Sequence, residues 1–355
     1  MRCTLDENDR FVATMTGHDV VPGQGVTARG RSAHRRGVVS DHAASCAGSG
    51  KRSPPSVKCD SVKPATDVRN VVIAADPALA ARLDAWLDAR AVFVVGLPGT
   101  GKSLLVHQAA HLASERDRIV HLVQWDVARP VFEATAAAAR YPVRAGVTHA
   151  LIRKAIGHWV RRAVASWDAA HPGGRHLLIG EAPFVGNRFV ELARRADDRA
   201  EPLLASPACR FVIPVPSRSV RAFLEAERER RAAEPLHERE RHDAPPSVLR
   251  DLWRELLHVA VALGLASAPA DDASPAWDPD VYRAVYEALL RHRHADVVPV
   301  ETVLSTRSFS VYDFAVPPID VVPGADEATT CIRDVEARYP DPDALERDVA
   351  RWYVV

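Results

Sequence analysis

Residues 96–103 read Gly-Leu-Pro-Gly-Thr-Gly-Lys-Ser and fit the pattern G-x-x-x-x-G-K-[ST] at every fixed position. Each residue type has a physical reason to be there. Gly96, Gly99 and Gly101 let the backbone wrap closely around an anion, and Pro98 and Thr100 fill the positions between. Lys102 would reach the β- and γ-phosphates of a nucleotide, and the Ser103 hydroxyl would take a position on Mg²⁺. Leu104 continues into a helix whose positive dipole end faces the same anion. The chain has five lysines against 41 arginines, and only Lys102 and Lys154 follow Lys63. A compact ammonium is kept where the motif needs one.

Two carboxylates and two arginines are the next candidates. Asp126 follows the apolar run Ile119–Gln124, and Glu181 follows His176–Gly180. Ligands of open parallel α/β sheets bind outside the carboxyl ends of the strands, where the glycine loop also lies. Glu181 is the expected partner of Ser103 on the metal. Asp126 is the expected acceptor-side base, although a helix cap before Arg129-Pro130 explains it nearly as well. The segment 217–243 interleaves arginines and glutamates. Most of these charges suit a solvated helix laced with i,i+4 pairs. Arg221 and Arg228 are the candidates to close over a transferring phosphoryl group, as a lid does.

The elements that must position these groups follow from periodicity. Ala91–Val95 reads as a buried strand, with an amphipathic helix after the loop. Asp76 and Pro77 open a helix over about 77–89. Val147–Trp167 is a long amphipathic helix whose Arg153, Lys154, His158, Arg161 and Arg162 crowd its polar surface. Further strands are expected at Cys209–Val215, Val297–Leu304 and Phe309–Phe314, with helices at 245–263, 278–291 and 341–353. Asn187 is expected to cap a helix running to Asp197. Strands separated by helices imply a three-layer α/β fold around a mainly parallel sheet.

Residues 1–68 are rich in Gly, Ser, Arg, Thr and Pro without periodicity, and are expected to be a disordered tail or the product of a start assigned too far upstream. Residues 69–315 form the expected domain, and 316–355 a C-terminal extension ending in a helix. Net charge is zero, which gives no basis for nucleic-acid binding. The five cysteines are scattered without a C-x-x-C pair, which fits a reducing cytoplasm. No apolar run is long enough to span a membrane.

Across residues 90–315 this order resembles the adenylate-kinase-like group of P-loop kinases. The resemblance lies in Gly96–Ser103, a helical insert at 129–168, the run Leu-Leu-Ile-Gly-Glu181-Ala-Pro and the Arg-rich segment 217–243. It implies a P-loop fold with a five-stranded sheet, ATP and Mg²⁺ as cofactors, and a small-molecule phosphoryl acceptor held by the insert. It also implies that residues near Phe309–Pro318 flank the adenine. Adenylate kinases carry Asp-Gly-Phe-Pro-Arg after the third strand; here Gly180-Glu181-Ala182-Pro183-Phe184 is followed by Arg188. A regulatory or AAA-like ATPase and a non-catalytic nucleotide-binding module are the alternatives. The first lacks its apolar run ending in Asp-Glu, and a GTPase lacks Asn-Lys-x-Asp.

Overall fold

A computed structural model describes residues 2–5, 11–14, 71–144, 146–267 and 275–355. Met1–Val62 and Lys63–Val355 are separate compact units. In the first, β1 (Arg2–Leu5) pairs antiparallel with β2 (Phe11–Thr14). The rest of the expected disordered tail lies outside the described residues.

The second unit is an α/β domain around a six-stranded, all-parallel sheet. Its strands are β3 (Ala91–Val95), β4 (Ile119–Gln124), β5 (His176–Ala182), β6 (Cys209–Pro216), β7 (Ala295–Val300) and β8 (Ile319–Asp320), in spatial order β7-β6-β3-β5-β4-β8. β3 is central and buried at all five residues, so both faces of its pleat must be covered. Ala91, Phe93 and Val95 face one hydrophobic cluster, and Val92 and Val94 face the other. The second cluster is closed by α1 (Pro77–Trp86) and α2 (Lys102–Glu115). The first is closed by α4 (Ala150–Ala170), α7 (Pro246–Ala262), α8 (Pro279–Leu289), α9 (Ala325–Arg338) and α10 (Pro342–Ala350). This is a three-layer arrangement.

Several elements follow the sequence closely. Asp76 caps α1 by accepting from the Leu79 N–H at 3.0 Å. The Ser217 hydroxyl caps α6 (Arg218–Ala233) in the same way. Gly180 is in β5 because a Cβ there would lie 2.2 Å from the Phe93 ring.

Other expectations are corrected. The sheet has six strands rather than five, because β8 adds to β4 through His121–Ile319 and Leu122–Asp320. Phe309–Phe314 is a loop, not a strand. Phe309 and Phe314 pack on the His107 ring of α2 at 5.2 and 5.3 Å, and the Asp313 N–H turns back to the Ser310 carbonyl. α3 (Trp125–Glu133) starts at once after β4 and carries Pro130 inside it, so the helical insert begins at Trp125 rather than at 129. Asn187 caps no helix; it is buried, and only a short 3₁₀ turn, Val190–Leu192, follows.

The largest correction concerns residues 316–355. α9 and α10 place Ala328, Cys331, Ile332, Val335, Leu345, Val349 and Trp352 in the main core. They cover the polar side of α4, which therefore is not a solvated basic face. Lys154 is 3% exposed and bridges Glu191 Oε1 at 3.2 Å and Asp348 Oδ2 at 2.6 Å. Arg161 is likewise buried and paired with Asp198 and Glu201. Breaking one partner of a buried ion network leaves uncompensated charge. Lys154→Ala is therefore expected to destabilise the domain by about 3–5 kcal/mol. In urea denaturation its midpoint should fall with an unchanged slope.

Candidate functional site

The glycine loop connects β3 to α2 across Gly96–Gly101. All three glycines have positive φ: +146° at Gly96, +76° at Gly99 and +89° at Gly101. Two of them are also crowded. A Cβ on Gly96 would lie 2.2 Å from the Tyr282 hydroxyl, and one on Gly99 would lie 2.9 Å from both Arg221 Nη1 and Leu249 Cδ1. At Gly101 a Cβ would meet nothing within 4 Å, so the loop is open on that side. Thr100 is fully buried and donates from Oγ1 to the Leu97 carbonyl at 2.9 Å. The loop is thus gripped from behind and free in front.

Lys102 opens α2 and is 4% exposed. Its ammonium donates to the Leu97 carbonyl at 3.0 Å and lies 3.7 Å from Glu181 Oε1. Burial pushes the Lys102 pKa down; the Glu181 carboxylate opposes that shift, and the Arg228 guanidinium adds to it. An anion on the open side of the loop would favour the charged ammonium.

Glu181 is brought here by strand register. It lies in β5 opposite Val94 of β3 and Gln124 of β4. Its Oε1 accepts from the Ser103 hydroxyl at 3.1 Å, and its Oε2 accepts from Gln124 Nε2 at 3.2 Å. Lys102, Ser103 and Glu181 are therefore together, as the sequence led us to expect. Asp126 lies in the first turn of α3 and is exposed. It makes no hydrogen bond to another described residue, and it is close enough to act electrostatically on Lys102 and Arg188. It does not serve as the helix cap, because Gln124 occupies that position.

The two candidate lid arginines separate. Arg221 is 2% exposed and braces the loop: its Nη1 donates to the Pro98 and Gly99 carbonyls at 2.8 and 2.9 Å. Its Nε pairs with Glu225, and its guanidinium lies 4.8 Å over the Trp277 ring. These contacts leave it no freedom to close over a ligand, which corrects that expectation. Arg228 is partly exposed, donates to the Ala244 carbonyl at 3.0 Å and acts electrostatically on Lys102. It remains facing the site.

The whole segment 217–243 is docked rather than hinged away. Arg231 pairs with Glu240 at 2.9 Å and donates to the Phe309 carbonyl. The Ser310 hydroxyl donates to Glu240 at 2.6 Å, and the Tyr312 hydroxyl donates to Asp243 at 2.8 Å. Burial raises the Tyr312 pKa, and the Asp243 and Glu181 carboxylates add to the shift. Phe309 and Phe314 are taken up by His107 and do not line an open base pocket. An apolar crevice of about 30 Å³ lies instead between Thr100, Leu104, Phe223, Leu224, Thr302 and Leu304.

Sequence reasoning missed Tyr312 and Asp243, which lie in segments without a motif. A basic pair lies on the α4 side, made of Arg153, already among the basic residues the sequence places on that helix, and Arg188. Arg188, in the tight turn after β5, has a lowered pKa caused by burial and makes no side-chain hydrogen bond to the described residues. The Glu255 and Asp126 carboxylates oppose that shift. Arg153 of α4 donates to the Gly186 carbonyl at 2.8 Å, while its buried Nε has no hydrogen-bond partner among the described residues. Burial lowers its pKa too, and Arg188 is the next cause. Trp125 is buried edge-on against Phe189 at 5.6 Å.

No family model matches this chain, and no curated protein or solved structure matches it significantly. Among the described residues no helix is long and apolar enough to cross a membrane.

The contrast between the two arginines is testable. Arg221→Ala removes three hydrogen bonds from buried groups and is expected to cost about 2–3 kcal/mol of stability. Arg228→Ala removes a hydrogen bond to the Ala244 carbonyl and a long, partly exposed ion pair with Asp243, and is expected to change stability by less than about 1 kcal/mol. Thermal unfolding of the two variants reads both outcomes.

Proposed function

We propose that this domain is a P-loop phosphotransferase that moves the γ-phosphoryl group of ATP to a small acceptor. The observation that carries the reading is the convergence of Lys102, Ser103 and Glu181 at the carboxyl ends of β3 and β5, beside a glycine loop open on its outer side. The donor set fits the proposed ligands. Backbone N–H groups and a buried ammonium suit phosphates, and a hydroxyl with a carboxylate supplies the hard oxygens that Mg²⁺ prefers. Ser103 and Glu181 would hold Mg²⁺, which supplies charge neutralisation on the transferring phosphoryl group.

The remaining work falls to the chain itself. Lys102 and the amides of Gly99, Thr100 and Gly101 hold the phosphates. Asp126 accepts the proton of the attacking hydroxyl, and Arg228 faces the developing charge. Arg188 and Arg153 orient an acceptor that carries a negative group, because each has donor capacity that the fold does not use. The apolar crevice beside Thr100 and Leu104 suits an adenine. It is too small for a purine as it stands, so the 302–304 loop shifts on binding.

The test is an acceptor screen with the full chain, Mg²⁺ and ATP, reading ADP release. Nucleosides, nucleoside monophosphates and phosphorylated or carboxylated metabolites are the panel. ADP release is expected to be slow alone and stimulated by one anionic acceptor class. Glu181→Gln and Asp126→Asn should each lower the stimulated rate about 10²–10⁴-fold. Fast acceptor-free hydrolysis, or unchanged transfer in both variants, would overturn the reading.

A further inference from the structure

The amino-terminal end of the sheet carries a second cluster of chemistry-bearing side chains, with no role in the site above. His121 is the third residue of β4, His176 the first of β5, and His171 directly follows α4. His176 and Glu181 are five residue steps apart in β5, about 16 Å along the strand. The three imidazole rings face one another, with centroids 4.4, 4.6 and 5.2 Å apart. Each ring offers one nitrogen, and the three nitrogens lie within 4.8 Å of one another. His121 is buried; His171 and His176 are partly exposed, which leaves an entry path.

We propose that His121, His171 and His176 form a binding site for a nitrogen-preferring divalent metal, of which Zn²⁺ is the fitting example. Three features support it. First, the set is three imidazoles and no carboxylate, which suits Zn²⁺ and disfavours Mg²⁺ and Ca²⁺. Second, the His171 Nδ1–H donates to the Trp167 carbonyl at 2.9 Å, which fixes the tautomer and presents Nε2 with its lone pair. Third, His121 Nε2 and His176 Nδ1 are already 3.0 Å apart. Zinc–nitrogen bonds of about 2.0–2.1 Å require donors about 3.3 Å apart, so one edge of the tetrahedron is present. Binding replaces the hydrogen bond on that edge: its proton moves to the other nitrogen of the same ring, and both facing nitrogens become ligands. Water completes the fourth position.

The surrounding cations do not compete for the ring nitrogens. Arg90 lies 4.4 Å over the Trp167 ring and is engaged by Asp168 and by the Gly173, His171 and His176 carbonyls. Arg118 donates to the His176 carbonyl at 2.8 Å. Their charge weakens the site without closing it. A metal here ties the carboxyl end of α4 to β4 and β5, so its effect is on the stability of the layer that carries Arg153.

The experiment uses the full chain without a histidine tag, stripped with chelator. Calorimetry with Zn²⁺ is expected to give one site per chain, and Co²⁺ to give the visible absorption of a four-coordinate complex. Mg²⁺ should give no heat. Zn²⁺ should also raise the unfolding temperature. The double variant His171→Ala, His176→Ala should bind Zn²⁺ at least about 100-fold more weakly and lose the shift. His171→Asn alters a partly exposed residue after the helix end and keeps the test valid if the double variant does not fold; it should weaken binding as well. No Zn²⁺ binding by the native chain, or binding unchanged in the His171 variant, would overturn the proposal.

Discussion

An ammonium held at 4% exposure beside a single carboxylate sets the terms for the rest of the structure. Burying Lys102 costs hydration, and Glu181 at 3.7 Å with one backbone carbonyl returns only part of it. The arrangement persists because the elements around it are fixed independently. β3 is buried on both faces, and register with β5 fixes where Glu181 must be. The loop between β3 and α2 is clamped by Arg221 on its carbonyls and Tyr282 against Gly96. The loop is uncrowded at Gly101, where a Cβ would meet nothing within 4 Å.

The surrounding polar groups divide into those that build and those with capacity to spare. Arg221, Arg231, Lys154 and Arg161 are buried and fully engaged, so they belong to the framework. Arg188, Arg153, Asp126 and Arg228 retain donors or acceptors that the fold leaves unused or partly used. These four lie toward the same end of the sheet as the glycine loop. Under the proposed function, the phosphates would be held on β3 and α2, and the acceptor on α3, α4 and the turn after β5.

Much of this was legible in the sequence, for identifiable reasons. The glycine loop is a local motif with its flanking strand and helix, so its backbone follows from a dozen residues. Glu181 was legible because strand ends in a parallel sheet share one edge. The fate of α4 was not, because its polar side is covered by α9 and α10, some 170 residues further on, and periodicity within α4 cannot report a second apolar neighbour. For the same reason Lys154 reads as surface and is core. Arg221 reads as a lid residue because charge density alone does not tell a brace from a gate. Phe309–Phe314 alternates like a strand, but its aromatic residues serve His107 instead. Tyr312 and Asp243 came to the site through tertiary contacts that no spacing encodes.

The central claim is that the buried Lys102 and the open glycine loop hold a chain of phosphates. Calorimetric titration of the full chain with adenosine, ADP and ATP in the presence of Mg²⁺ tests it most directly. The account predicts affinity that rises with each added phosphate and is lost for ATP in Lys102→Ala, with the folding temperature of that variant maintained or raised. Equal affinity for adenosine and ATP, or ATP binding unchanged in Lys102→Ala, would contradict it.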